Sequence, residues 1–285
     1  MMTLDEKEYV SHLKEAYLIK MGEPLNLKHP KTFTEKIQWL KLYDNLPVKT
    51  QLTDKILVRD FVKEKIGGEY LKPILQICGS FDEIDFDMLP ESFVLKCNHG
   101  CKWQFIIKNK KAVLSNSVLF NYIKKQMTDW LASTFFGFSD FETQYKNITP
   151  KILIEPLLRD NINENAIEAE IFCFNSEPKI FQYIIQTNPS KTCIYDENFK
   201  ILNFKFAQRT EMIDVPITEN LKEAVELSRV LAKDFKLVRI DWMFFHGKLY
   251  FNEMTFTPFS GFLVLPEEYR DWNLKLGNMI NLKGN

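Results

Sequence analysis

The chain has 285 residues, 45% apolar and 26% charged, enough for one large domain or two modest ones and inconsistent with intrinsic disorder. Its 37 basic and 38 acidic residues leave a net charge of −1 with no basic block, which argues against nucleic acid or an anionic membrane as the main partner. The opening stretch MMTLDEKEYVSHLKEAY is charged throughout, unlike a signal peptide, and no apolar run approaches the ~20 residues of a transmembrane segment. The expected location is therefore cytoplasmic, at most at the inner face of the cytoplasmic membrane. The five cysteines are odd in number and lack a CxxC pair. Cys97 and Cys101 flank His99, but no second pair has ligand spacing, so reduced thiols are expected and zinc is not.

In chain order, residues 4–20 read as an amphipathic helix, 24–30 as irregular, and 34–43 as a helix with Thr34 at its N-cap. The stretch LTDKILVRDFVKEKIGG reads as one helix capped by Thr53 or Asp54 and closed by Gly67. On it Lys55 and Arg59 form a like-charged i,i+4 pair that an anion would relieve, although two surface cations are the commoner case. Residues 72–114 form a small β-rich unit, with strands expected at 72–77, 92–96 and 103–108. Between the last two, CNHGCKW follows Lys96, and a strand-end lysine before a glycine-containing turn can hold a polyphosphate. A helix is expected over 115–133, then strands over 151–157, 166–174 and 179–186, with Glu155 inside the first and Glu168 and Glu170 on one face of the second. Residues 187–216 read as irregular, Thr218 caps a periodic helix, and a last helix covers 267–282.

The segment VRIDWMFFHGKLYFNEMTFTPFSG, Val238 to Gly261, reads as a hairpin around His246-Gly247-Lys248. Arg239 and Asp241 share one strand face, and Glu253 and Thr255 share another. A two-residue loop would set Asp241 opposite Asn252 and send Glu253 to the other side. A three-residue loop, or a bulge with Gly247 at positive φ, would bring both carboxylates together. In that second geometry, carboxylate oxygens suit Mg²⁺ and an adjacent Arg suits phosphate. An exposed charged face is the bland alternative, but both acids sit within apolar runs where an unpaired charge is costly.

Lys96, Glu155, Asp241 and Glu253, in that order, resemble the nucleotide and metal residues of the ATP-grasp superfamily. Within it the chain is similar to the TupA-like ATP-grasp family of teichuronopeptide and capsular polysaccharide biosynthesis. The resemblance rests on HPKTFTEKIQWLKLYD (29–44), LTDKILVRDFV (52–62), FVLKCNHG (93–100), ILIEPLL (152–158), IFCFNSEPK (171–179) and the hairpin. It implies an α+β, ATP-grasp fold in which two α+β subdomains clasp ATP after a short helical N-terminal region. The implied division is 1–50 as a helical extension, 51–150 as the small subdomain with the phosphate flap, and 151–285 as the large subdomain with hinge and Mg²⁺ site. By position, Lys55 and Lys96 would bind phosphates under a flap containing His99 and Gly100, and Glu155 with the Leu157 backbone would form the adenine hinge. Asp241, Glu253 and Thr255 would hold Mg²⁺, and Arg239 and Lys96 would act in catalysis. The chain departs from the family in its HGCKW flap and in Glu168-Ala169-Glu170, where a nucleotide-facing lysine is common.

The implied activity is an ATP- and Mg²⁺-dependent carboxylate–amine ligase, acting on a carboxylate-bearing sugar or polysaccharide precursor and an amine. The alternatives are a glycosyltransferase, for which Asp85-Phe86-Asp87 is the sole near match to a DxD and reads as a surface turn, or a nucleotide-binding module without catalysis. Tyr195, Arg159 and Arg209 are candidates for holding a substrate carboxylate.

Overall fold

The computed structural model describes residues 6–44, 46–137, 141–158, 167–207 and 210–283. Packing divides the chain into a first unit, Met1–Leu46 with Ser139–Thr143 and Asn165–Asn285, and a second, Pro47–Phe138 with Gln144–Glu164. The chain starts in the first unit with α1 (Glu6–Met21) and α2 (Phe33–Tyr43). It builds the second from α3 (Pro47–Thr53), α4 (Val58–Ile66), β1 (Gln76–Cys78), β2 (Phe93–Cys97), β3 (Gln104–Ile107), α5 (Lys110–Ser115), α6 (Ser117–Leu131) and β4 (Ile152–Pro156). It then completes the first with β5 (Ile167–Phe174), β6 (Glu177–Ile185), β7 (Lys191–Asp196), β8 (Glu211–Met212), α7 (Glu219–Leu231), β9 (Leu237–Phe245), β10 (Lys248–Thr255) and α8 (Asp271–Asn278).

In the second unit the strands run in the order β1-β4-β2-β3, all pairs antiparallel. Period-two alternation sends Phe93, Leu95 and Cys97 of β2, with Ile152 and Ile154 of β4, into a core closed by Ile123 and Met127 of α6. The opposite face carries Lys96 and Glu155. The division expected at 150/151 falls before β4, whose ladder bonds run to β1 and β2.

The first unit is built on the sheet β10-β9-β5-β6-β7-β8, antiparallel except for the β7–β8 pair. One face lies under α7, where the fully buried Trp242 donates Nε1–H to Ser228 Oγ at 2.8 Å. On the other face Phe33 and Ile37 of α2 and Leu276 of α8 pack with Phe172, Phe174 and Ile194. Each such large side chain contributes roughly 1.5–3 kcal/mol by burial. The helical N-terminal segment is thus part of this unit's core. Helix α8 approaches so closely that a Cβ on Gly277 would lie 2.2 Å from Lys31 O, and Lys36 Nζ caps the carbonyls of Gly277 and Ile280 at 2.8 and 2.7 Å.

Several local expectations shift. Helix α2 is capped by Thr32, not Thr34, because Thr32 and Glu35 form a reciprocal capping box, while the buried Thr34 hydroxyl pairs with Tyr17 Oη at 2.8 Å. The helix expected over 52–67 breaks between α3 and α4, where Asp54 Oδ1 accepts from the backbone of Ile56 and Leu57 at 2.8 and 3.3 Å. Asp54 therefore builds a turn instead of capping a continuous helix. The stretch read as irregular contains β7, whose Thr192, Cys193, Ile194 and Tyr195 are buried. Adjacent turn residues hid that strand. Thr218 caps α7 as expected, accepting from Leu221 N at 3.2 Å.

Candidate functional site

The hairpin β9–β10 turns through a two-residue loop, His246 and Gly247, both at positive φ (50° and 70°), as a primed hairpin turn requires. A two-residue loop alone would send Glu253 away from Asp241. A bulge between Phe251 and Glu253 corrects this, leaving Asn252 as the extra residue. Before the bulge Leu249 and Phe251 are the buried positions, and after it Met254 and Phe256 are. The change of parity brings Glu253 opposite Asp241 and Thr255 opposite Arg239. Both carboxylates do meet, but the bulge lies in β10 and not at the turn.

On the other side of β9, Glu170 of β5 is the partner of Asp241 and Phe172 the partner of Arg239. Three carboxylates therefore stand at one level across three adjacent strands. Arg239 binds Asp241 bidentately, Nε to Oδ1 at 2.7 Å and Nη2 to Oδ2 at 2.6 Å. Its Nη1 lies 3.4 Å from Glu170 Oε1, its Nη2 is 3.5 Å from Thr255 Oγ1, and its guanidinium lies 5.8 Å from the Phe172 ring centroid. Burial pushes the carboxyls of Glu170 and Asp241 above the usual range, opposed by Arg239 and reinforced by neighbouring acids including Glu253. Burial alone would lower the Arg239 pKa, but Asp241 and Glu170 outweigh it and drive it up. Among the described residues one guanidinium contacts Asp241 and Glu170 with Glu253 at the same level, and a divalent cation would offset this concentration of carboxylates. Among the described residues no three His, Cys, Asp or Glu side chains form a ligand cluster sufficient by itself. An ion held here would draw one or two carboxylates from the chain and its remaining positions from water or phosphate oxygens, the coordination that Mg²⁺ takes.

The second unit carries the opposite arrangement. Val94 of β2 faces Glu155 of β4, and Lys96 faces Leu153, so Lys96 and Glu155 are diagonal neighbours on one face. Lys96 Nζ lies 2.8 Å from Glu155 Oε2, Lys72 Nζ 3.4 Å from the same oxygen, and Arg59 Nη1 3.8 Å from Oε1. Arg59 is held in place by Nη2 donating to Lys72 O at 2.6 Å. Burial would raise the Glu155 carboxyl, but Lys72 and Lys96, with Arg59, hold it down at about 2. The Lys72 ammonium is lowered to about 8 by burial and by Lys96, despite Glu155. Among the described residues three cations contact this one carboxylate, a concentration of positive charge that suits an anion.

Lys55 lies in the turn between α3 and α4, with its backbone N–H on Asn98 O at 3.2 Å. It does not share a helix with Arg59, so the expected i,i+4 pair is absent and Arg59 turns instead to Glu155. His99 is 1% exposed, with Nδ1 3.2 Å from Asn98 Oδ1 and Nε2 3.0 Å from Trp130 O. Both ring nitrogens are engaged, so His99 ties the CNHGCKW turn to Trp130 O instead of presenting a nitrogen outward. A Cβ on Gly100 would lie 2.5 Å from the Trp103 indole, which packs over this glycine. Leu157 follows β4 directly.

Tyr195 is 1% exposed and donates its hydroxyl to Val215 O, so it is not available to a substrate carboxylate. Arg159 and Arg209 lie outside the described residues. Asp85 forms an exposed turn, accepting from Asp87 N at 3.1 Å and Met88 N at 3.3 Å, as expected of a surface turn. Sequence reasoning missed Arg59 and Lys72 as partners of Glu155, and Glu170 as a neighbour of Asp241. For Glu170 the signal was the same-face pair Glu168/Glu170 beside an apolar run. For Lys72, which contacts across the fold, there was none.

The sequence model of the family described as TupA-like ATPgrasp matches residues 35–281. No curated protein matches the chain significantly. Among solved structures, the chain is similar to the D-alanine–D-alanine ligase of Helicobacter pylori, at 14% identity over 87% of this chain and 69% of that one, with a TM-score of 0.46. It is also similar to the D-alanine–D-alanine ligase of Bacillus anthracis complexed with ATP, at 15% identity over 94% of this chain and 80% of that one, TM-score 0.48. A third is N5-carboxyaminoimidazole ribonucleotide synthetase of Thermus thermophilus, at 10% identity over 78% of this chain and 51% of that one, TM-score 0.42.

Proposed function

The chain belongs to the TupA-like ATP-grasp family, and from that premise we propose that it is an ATP- and Mg²⁺-dependent carboxylate–amine ligase that forms an amide through an acyl phosphate. It has the α+β ATP-grasp fold. The observation that carries the reading is the opposition of Asp241 and Glu253 across the β9–β10 bulge, with Arg239 bound to Asp241. Asp241 and Glu253 are the metal carboxylates, and Thr255 stands beside them. Bound Mg²⁺ supplies charge neutralisation and alignment for the transferring phosphoryl group.

The chain's own groups supply the rest. Arg239 keeps the Asp241 carboxylate oriented, and its contact with Glu170 at 3.4 Å is the one a phosphoryl oxygen would displace. Lys96 and Lys55 bind the nucleotide phosphates, with Arg59 and Lys72 adding to the local positive field. Since Glu155 is engaged by lysines, it acts chiefly to hold them, and the backbone of Leu157 is left as the adenine contact. The substrate carboxylate oxygen attacks the γ-phosphorus and the bond to ADP breaks. The amine nitrogen then attacks the acyl carbon, the bond to phosphate breaks, and the nitrogen loses its extra proton. Exclusion of water protects the acyl phosphate from hydrolysis.

The acceptor is a uronic acid of a cell-surface, capsular polysaccharide or its precursor, joined to an amine or amino acid. This finer part rests on the family resemblance alone. No described helix is long and apolar enough to cross a membrane. The test is ADP release from Mg²⁺-ATP with a panel of uronic acids and amines, comparing wild type with Glu253→Gln. ADP formed only when acid and amine are both present, and lost in Glu253→Gln, supports the ligase. ADP formed without either partner, or tight binding of a sugar nucleotide with no ADP, overturns it.

A further inference from the structure

A cleft of about 390 Å³ lies wholly within the second unit, between the α3–α4 turn and the segment leading into β4. Its size falls in the ~300–1,000 Å³ range of small-molecule sites. Asp54 lines it, and this residue is 4% exposed. Its Oδ1 is committed to the backbone N–H groups of Ile56 and Leu57, while no described residue donates to Oδ2. The buried atoms that lack a partner altogether do not include Oδ2, so it remains reachable. A nearly buried carboxylate oxygen opening into a cleft is a directed acceptor, because leaving it without a donor is costly.

The surrounding groups narrow the ligand. Thr50, Gln51, Asn147 and Thr149 place hydroxyls and side-chain amides around the cleft, and Lys151 adds an ammonium. Asn98 also lines it but is spent internally, donating to Thr149 O at 3.0 Å and accepting from Lys151 N at 2.7 Å. Ile56 and Leu57 give the cleft an apolar side. An ammonium ligand would satisfy Asp54 but leave the amide and hydroxyl donors without acceptors. A phosphate would meet Asp54 with like charge. Ligand hydroxyls both donate and accept, and a pyranose also has an apolar C–H face.

We propose that this cleft binds a saccharide ring, with Asp54 Oδ2 accepting from ring hydroxyls and Gln51 and Asn147 bonding to others. The binding is independent of the ligase reading. Only its use as the subsite of an acceptor sugar rests on that reading. Lys151 then favours a ring that carries a carboxylate.

The test is binding to the full chain without nucleotide, so a negative result leaves the ADP assay unaffected. Saturation-transfer NMR and calorimetry would use glucuronic acid, methyl glucoside, L-alanine and ethylamine as probes. Both sugars are expected to bind, with glucuronic acid the tighter and Lys151→Met removing the difference. Gln51→Ala and Asn147→Ala, at exposed positions that carry no fold contacts shown by hydrogen bonding, should each weaken the sugars about 3- to 10-fold, as loss of a hydrogen bond does. Asp54→Asn should weaken them further, and the two exposed variants keep the test intact if that variant fails to fold. No sugar binding, sugar binding unchanged in all three variants, or binding of alanine or ethylamine alone would overturn the proposal.

Discussion

The two ion clusters are inversions of one another. In the first unit, among the described residues, Arg239 stands among Glu170, Asp241 and Glu253. In the second, Glu155 stands among Arg59, Lys72 and Lys96, with Asp60 also acting on Arg59. The first shares its sheet face with Phe172, which packs with α2 and α8, while the second lies on the face opposite the α6-packed core, and among the described residues each holds more charge of one sign than of the other. A buried ion pair is rarely a net source of stability, because desolvation offsets the attraction. Surplus charge makes it still less so. Under the proposed function both clusters would be explained by what they attract, a divalent cation in one and phosphate oxygens in the other. The minority charge in each holds like-charged neighbours in place until the ligand arrives.

The largest expected effect comes from removing the central charge of either cluster. Glu155→Ala and Arg239→Ala should each destabilise by about 3–5 kcal/mol in urea unfolding, because buried like charges are left without their partner. A cost below about 1 kcal/mol for either would mean its cluster is solvated, and the comparison would fail. Next, Glu253→Gln should lower ADP formation by about 10²–10³-fold, the scale of losing one electrostatic contact to the transition state. It should leave the fold intact yet abolish the rise in Tm that Mg²⁺ gives the wild type. A variant that kept its Mg²⁺-dependent shift would remove Glu253 from the metal site.

Removing a majority charge should act in the opposite sense. Lys72→Met should weaken ATP binding about tenfold, the equivalent of roughly 1.4 kcal/mol, while leaving stability unchanged or improved. Unaltered affinity would restrict Lys72 to a structural role. The most gradual effect is on pH dependence. Lys72 has a folded pKa of about 8, below its unfolded value of 10.5, so between them the unfolded chain holds the extra proton. Its contribution to stability therefore rises from pH 8 to 10.5, by at most about 1.4 kcal/mol per unit, and should vanish in Lys72→Met. Glu155 acts at the other end. Its carboxyl is held at about 2 against 4.5 unfolded, so its contribution is complete above pH 4.5 and is lost as pH falls through 2. Equal alkaline profiles for wild type and Lys72→Met would show that the ammonium is not desolvated.

Much of the site was legible because its residues interrupt patterns. Asp241 and Glu253 stand inside apolar runs, and Lys96 ends one, so each stood out against its neighbours. The bulge, too, left a trace: the buried positions Leu249 and Phe251 give way to Met254 and Phe256, a one-step slip in alternation at Asn252. The capping box at Thr32 and Glu35 is equally a local pattern, with Thr34 a second hydroxyl two residues on that competes for the cap position. Other features were not readable. Lys72 and Arg59 are ordinary surface residues by sequence until the break at Asp54 and the strand order β1-β4-β2-β3 bring them to Glu155.

The sequence by itself determined the elements and their chemistry: the alternation of the hairpin, the cap of α7, the apolar faces, and the family motifs in order. Those depend on local periodicity and on residue identity, which are present before the chain folds. Tertiary structure decided which charges share a cluster. It turned Glu253 toward Asp241, aligned Glu170 from a strand far upstream in the chain, and engaged His99 and Tyr195 with backbone carbonyls. Register and burial arise only from pairing distant strands, and in a low-dielectric interior they decide whether a charged residue is solvated, paired or waiting for a ligand.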